Sequence, residues 1–139
     1  MGQDDGKPAH EQIAAEHRSL DALFGDTRSV LKETGAGEQA RLAVTRLLEA
    51  VESHLSREES LYYPTIWALR PDLKPPLLRL VESHSEFRTL LGAVAESVET
   101  DALEDAAHRI DELVGLFSRH EVAEESLLDS LEEDLEANG

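Results

Sequence analysis

The stretch HLSREESL at residues 54–61 returns as HEVAEESL at residues 120–127. Each copy has a His, a Glu four residues later, and the same EESL ending. Four residues is about one turn of an α-helix, so His54 stands over Glu58 and His120 over Glu124, each pair on one helix face. Each copy thus offers a nitrogen and a carboxylate to one point in space. A fold that brings two such helices together in a core is the simplest use of the repeat.

Working outward, the apolar residues keep helical spacing wherever the chain is not broken by Pro or Gly. A first helix runs from about Pro8 to Glu33 with Ile13, His17, Leu20, Phe24 and Leu31 on one stripe, and Gly35 and Gly37 end it. A second, from about Glu38 to Ala68, carries Val44, Leu47, Val51, His54, Glu58, Leu61 and Tyr62, with a kink or early stop expected at Pro64. The segment RPDLKPP at 70–76 divides the chain. A third helix follows from about Pro76 to Glu99 with Leu77, Leu80, Val81, His84, Phe87, Leu91, Val94 and Val98 in line. Asp101 with Glu104 reads as a capping box opening a fourth helix to about Glu136, its stripe Ala106, Ile110, Leu113, Phe117, His120, Glu124, Leu127 and Leu131. No stretch alternates as a strand does. Four long helices with short turns imply an all-α, up-down-up-down antiparallel four-helix bundle over residues 8–136, with a disordered lead at 1–7 and a short tail at 137–139.

The halves repeat one another. His17 and His84 are 67 residues apart and His54 and His120 are 66 apart, so each hairpin has one lone His and one HxxxE. In an antiparallel hairpin, residues equally far from the turn lie at equal height. His17 and His54 are 19 and 18 residues from Ala36, and His84 and His120 are 17 and 19 from Asp101. All four imidazoles therefore fall within about one turn, or about 5.4 Å, of one level, with Glu58 and Glu124 a turn away.

HxxxE alone is a weak signal among 30 acidic residues. His17–Asp21 and His108–Glu112 have the same kind of spacing. His108 is twelve residues before His120, about 120° round the helix, and belongs on the surface. His10 lies near a helix start and suits a capping or solvent-facing role. The remaining four His resist a purely structural reading. Two buried carboxylates among four imidazoles, without a cation, carry uncompensated charge costing several kcal/mol per ion.

Composition narrows the cation. The chain has no Cys, which excludes thiolate sites and iron–sulfur clusters. Its net charge of −17 argues against nucleic acid or an anionic membrane as partner. The N-terminal residues lack a signal-peptide pattern and no run suits a membrane span, so a cytoplasmic protein is expected, as a monomer or weak homo-oligomer. Six ligands exceed the need of one tetrahedral zinc. Two ions fit better, His17 and His54 on one, His84 and His120 on the other, with Glu58 and Glu124 bridging. Nitrogen and oxygen donors with room for a further ligand suit iron, with manganese or zinc as rivals.

This pattern resembles the hemerythrin-like (HHE cation-binding) domain family: a His on helix 1, HxxxE on helix 2, a His on helix 3, and a His with a downstream acid on helix 4. The resemblance covers about residues 8–136. It implies a non-haem di-iron centre with an oxo or hydroxo bridge, held by His17, His54, Glu58, His84, His120 and Glu124. It also implies dioxygen, peroxide or nitric oxide as the small ligand, in binding or sensing, in peroxide-decomposing or oxidase chemistry, or in iron storage, donation or iron-centre repair. One departure stands out. Oxygen-carrying relatives have a second His one turn after the helix 3 His, where this chain has Arg88, and a guanidinium stays protonated and does not ligate iron. Arg88 is expected either to pair with Asp21, its counterpart 67 residues away, or to sit at the stripe's edge with its head in water. Tyr62, one α-turn beyond Glu58, is a candidate for the pocket wall, either bonding a metal ligand or simply packed. Glu125 competes with Glu124 for the helix 4 position, and Glu124 matches the register of Glu58.

Overall fold

A computed structural model describes residues 9–33 and 37–138, with side chains over 11–33 and 37–129. The expected lead at 1–7, the turn residue Gly35 and the side chains of His10 and Leu131 lie outside the described residues. The elements are helix α1 (Ala9–Lys32), α2 (Gly37–Arg57), a π turn (Glu58–Tyr62), α3 (Tyr63–Leu69), a 3-10 turn (Pro71–Leu73), α4 (Lys74–Glu99) and α5 (Leu103–Asn138). The stretch from α2 through the π turn to α3 forms one arm of the bundle. With α1, α4 and α5 it makes the four-helix arrangement expected, without a strand among the described residues.

Helix α1 packs on α2 and α5, and α4 packs on α2 and α5, so α1 and α4 stand on a diagonal. The inward stripes explain this. Ile13, Leu20, Phe24 and Leu31 of α1, Val44, Leu47 and Val51 of α2, Phe87, Leu91, Val94 and Val98 of α4, and Ala106, Ile110, Leu113 and Phe117 of α5 are all buried. They form two apolar clusters. One fills the end of the bundle nearest the hairpin turns, from Leu31, Ala40, Val98 and Ala106 up to Phe87 and Phe117. The other, at the opposite end, joins Ile13, Tyr62, Tyr63, Ile66, Leu73, Leu77 and Leu128. The histidines occupy the level between them. Among the described residues no helix is long and apolar enough to cross a membrane.

The breakers act differently from the simplest expectation. Pro64 neither stops the arm nor stands alone as a kink. In an α-turn its ring would press on the carbonyl four residues back, and the turn before it is widened instead, with the Tyr63 N–H bonded to the Glu58 carbonyl five residues back. That extra residue rotates the stripe: Leu61, expected inside, is 52% exposed, while Tyr63 and Ile66 are buried. Pro75 and Pro76 fall in the first turn of α4, where missing N–H groups cost nothing. Late in α5 the buried residue is Leu128, with Leu127 half-buried.

Asp101 does not cap α5. It has φ 59, the left-handed conformation. Its N–H bonds the Val98 carbonyl at 3.1 Å, and the Ala102 N–H bonds Ser97 at 2.8 Å. This is the Schellman closure of α4, with Asp101 in the place usually held by Gly. The carbonyl of Ala102 takes the first bond of α5, from the Ala106 N–H.

Candidate metal centre

His17, His54, His84, His120, Glu58 and Glu124 all lie in the interior, none more than 6% exposed. Their helices deliver them to one level, and Phe87 and Phe117 make a floor beneath them. The Phe117 ring centre is 5.6 Å from that of His17 and 6.0 Å from His54. Phe87 is 5.2 Å from His120 and 6.2 Å from His84. The imidazoles form two pairs, His17 with His54 and His84 with His120, each pair 5.2 Å between ring centres.

Glu58 lies between the pairs. Its Oε2 is 3.1 Å from His54 Nε2, and its Oε1 is 3.0 Å from His84 Nε2 and 3.6 Å from His120 Nε2. Glu124, expected as a second bridge, reaches His17 Nε2 with Oε1 at 2.9 Å. Two groups of donor atoms result, each compact enough to surround one ion: His17, His54, Glu58 and Glu124, and then Glu58, His84 and His120. We call these position A and position B. The twin HxxxE phrases are thus not used alike, because Glu58 serves both positions and Glu124 belongs with A.

The outer nitrogens decide which tautomer each ring takes. His54 Nδ1 is 2.6 Å from Glu16 Oε1, His84 Nδ1 is 2.6 Å from Glu59 Oε2, and His17 Nδ1 is 3.3 Å from Glu125 Oε2. Carboxylates accept, so these nitrogens donate. His120 Nδ1 lies 3.2 Å from the Ser83 hydroxyl, whose own proton goes to the Leu80 carbonyl at 2.6 Å. Ser83 therefore accepts as well. All four rings keep a proton on Nδ1 and point Nε2 inward, so that release of any Nε2 proton to an arriving cation gives the form a metal ligand needs.

These inner atoms have no protein partner in hydrogen-bond geometry. Four Nε2 atoms, both oxygens of Glu58 and Oε1 of Glu124 are buried and unsatisfied. A buried polar atom left without a hydrogen bond costs about 1–3 kcal/mol, and here nitrogen and carboxylate oxygen only face one another at 2.9–3.6 Å. A cation removes that cost, and nitrogen with carboxylate oxygen is the donor set of iron, manganese or zinc. The residues fit a metal pair.

Several participants were not among the residues singled out from sequence. Tyr63, fully buried, donates its hydroxyl hydrogen to Glu124 Oε2. It takes the wall position expected of Tyr62, because a π turn places the residue five along, not four, above Glu58. Tyr62 instead donates to Glu16, on the outer side. Glu16, Glu59 and Ser83 carry no spacing of their own. Each is simply next to a site residue, Glu16 before His17, Glu59 after Glu58 and Ser83 before His84, and that adjacency was the available signal.

Arg88 does not meet Asp21. Its guanidinium bonds Glu52 at 2.9 Å and Glu59 at 2.9 Å, because α4 faces α2 there and α1 lies across the diagonal. Asp21 lines a cleft of about 330 Å³ between α1 and α5 with His17, Arg18, Glu121 and Glu125. Glu125 is 53% exposed and meets the outer nitrogen of His17, whereas Glu124 is fully buried. His108 is exposed.

The electrostatics follow from burial and pairing. Burial opposes ionisation of Glu16, yet bonds from His54, Arg57 and Tyr62 outweigh it and hold its carboxyl at about 2. Burial would likewise discharge His54, but Glu16 and Glu58 hold it up at about 9. His120 goes the other way: burial dominates, and the charges of His84 and His17 add to it. Burial raises Glu121 to about 7 against the pull of His17, with Asp21 and Glu125 helping.

Residues 9–128 match the family model described as Hemerythrin HHE cation binding domain. No curated protein and no solved structure matches.

Proposed function

Because the chain belongs to the hemerythrin HHE cation-binding domain family, we propose that it is a non-haem di-iron protein that binds dioxygen or a related small ligand, peroxide or nitric oxide. The observation that carries this reading is the set of seven orphaned inner atoms in two overlapping groups joined at Glu58. Two cations, one held by His17, His54, Glu58 and Glu124 and the other by Glu58, His84 and His120, would satisfy all of them. Iron bound there would supply two-electron redox chemistry with an oxygen-derived ligand, which one ion alone does less readily.

The chain's own residues set the conditions for it. Glu16, Glu59, Glu125 and Ser83 fix the imidazole tautomers. Phe87 and Phe117 keep water from the floor of the site. The Tyr63 hydroxyl is directed at Glu124 inside the site and stays protonated, its acidity suppressed by burial and by the charges of Glu124 and Glu58. The cytoplasm is the compartment this reading favours.

Purified protein should contain close to two irons per chain. Anaerobic reduction followed by air should give the absorption band of a stable adduct in a carrier, and immediate conversion to the oxidised form in a sensor or enzyme. Metal content near zero in carefully prepared protein would end the di-iron reading. A second reading, a peroxide-decomposing enzyme, is favoured by Arg88: it is tied to Glu52 and Glu59 and adds no nitrogen to position B. Rapid oxygen evolution from added peroxide would select it.

A further inference from the structure

The two metal positions are built from a repeat, yet one residue breaks their equivalence. Glu58 has both oxygens unpartnered and spread between A and B. Glu124 has only Oε1 unpartnered, 2.9 Å from His17 Nε2, because Oε2 accepts from Tyr63. The first hairpin can place a tyrosine there because its arm contains the π turn. The second hairpin has no counterpart: α5 continues as an α-helix, and one α-turn beyond Glu124 stands Leu128, buried and without a donor. So Tyr63, whose hydroxyl also lies near Glu58, gives its one hydrogen to Glu124 and tethers it.

We infer that Tyr63 is a positioning residue that holds Glu124 on position A alone, so that A, with four donor atoms, fills before B, with three. The inference rests on the two-ion reading above. Position A is also the one beside the acidic cleft of Asp21, Glu121 and Glu125, which favours arrival of a cation there. Behind B, the nitrogen of His120 meets a neutral hydroxyl where His54 meets a carboxylate, and a carboxylate partner makes the better donor ring. Position B is therefore the weaker and more exchangeable one, where an external ligand or the loss of an ion is felt first.

The test is an anaerobic titration of metal-free protein with ferrous iron against a competing chelator, on the full chain. Wild type should take up two ions in separate steps, the first at least about tenfold tighter, a gap of about 1.4 kcal/mol. Tyr63→Phe keeps the ring and frees Glu124 Oε2 to reach B. It should tighten the second step and bring the two within about threefold, a gain that mere loosening of the core would not give. His120→Ala should leave one ion at the original first-step affinity. Two wild-type ions bound with a single affinity, a Tyr63→Phe gap that does not change, or loss of the tight step in His120→Ala would each overturn the inference. Failure of wild type to bind any iron would instead sink the di-iron reading itself.

Discussion

Positions A and B sit on the same floor, at the same height, and come from matching helices, but they are finished differently. A has His17 and His54 with two inner carboxylates, and its outer nitrogens rest on Glu125 and Glu16. B has His84 and His120 with the shared Glu58 alone, backed by Glu59, which Arg88 partly neutralises, and by Ser83. The lesson is that a repeat copies ligand types more faithfully than it copies their surroundings. Each difference traces to one substitution: Ser83 against Glu16, Arg88 against Asp21, and the π turn with Tyr63 against an unbroken α5.

The strongest challenge to this contrast is Glu58→Ala. Glu58 belongs to both positions, so its loss should take iron from two per chain to near zero by metal analysis, while His108→Ala should keep both ions. One ion retained in Glu58→Ala would show that A and B are independent, and loss in His108→Ala would contradict the surface placement. Next in size, Phe117→Ala should cost about 3–5 kcal/mol, measured by urea unfolding. Phe117 contacts the rings of His17, His54 and His120, so the cavity should open under both positions and lower both affinities together.

Smaller effects sharpen the difference between outer partners. Glu16→Gln should weaken iron at A by about 10–100-fold, read by chelator competition, and Ser83→Ala should weaken B by less than tenfold. Equal losses would remove the distinction drawn between a carboxylate and a hydroxyl backing. The least effect should come at the turn of the second hairpin. A residue with a Cβ in the left-handed conformation costs about 1–2 kcal/mol, which Asp, able to bond locally, partly escapes. Asp101→Gly should therefore raise the unfolding midpoint by an amount worth up to about 1 kcal/mol, leaving both metal affinities unchanged.

Much of the fold was legible because helix stripes and breakers are local. The spacing of Ile13, His17, Leu20 and Phe24, or of Phe87, Leu91, Val94 and Val98, states which face is buried without reference to any partner. The common height of the four histidines was legible too, since equal distance from a turn means equal height in a hairpin. Asp101 was misread because its side chain suits a cap, and the same residue can instead accept left-handed backbone after the preceding helix. Counting by fours from Glu58 leads to Tyr62 and passes over Tyr63, because it assumes an unbroken α-helix. Pro64 marked the place of the disturbance without stating its form.

By itself, then, the sequence determined that the chain is an all-helical bundle whose core holds four imidazoles at one level with two carboxylates a turn away, since periodicity and turn positions are written along a single dimension. Only the tertiary structure decided which helices face one another: α1 across the diagonal from α4, so that Arg88 meets Glu52 and Glu59 and not Asp21. It also decided that Glu58 is shared while Glu124, drawn by Tyr63, stays with His17. Those outcomes depend on contacts between helices and on one extra residue in a turn, and neither has a period that a linear reading can detect.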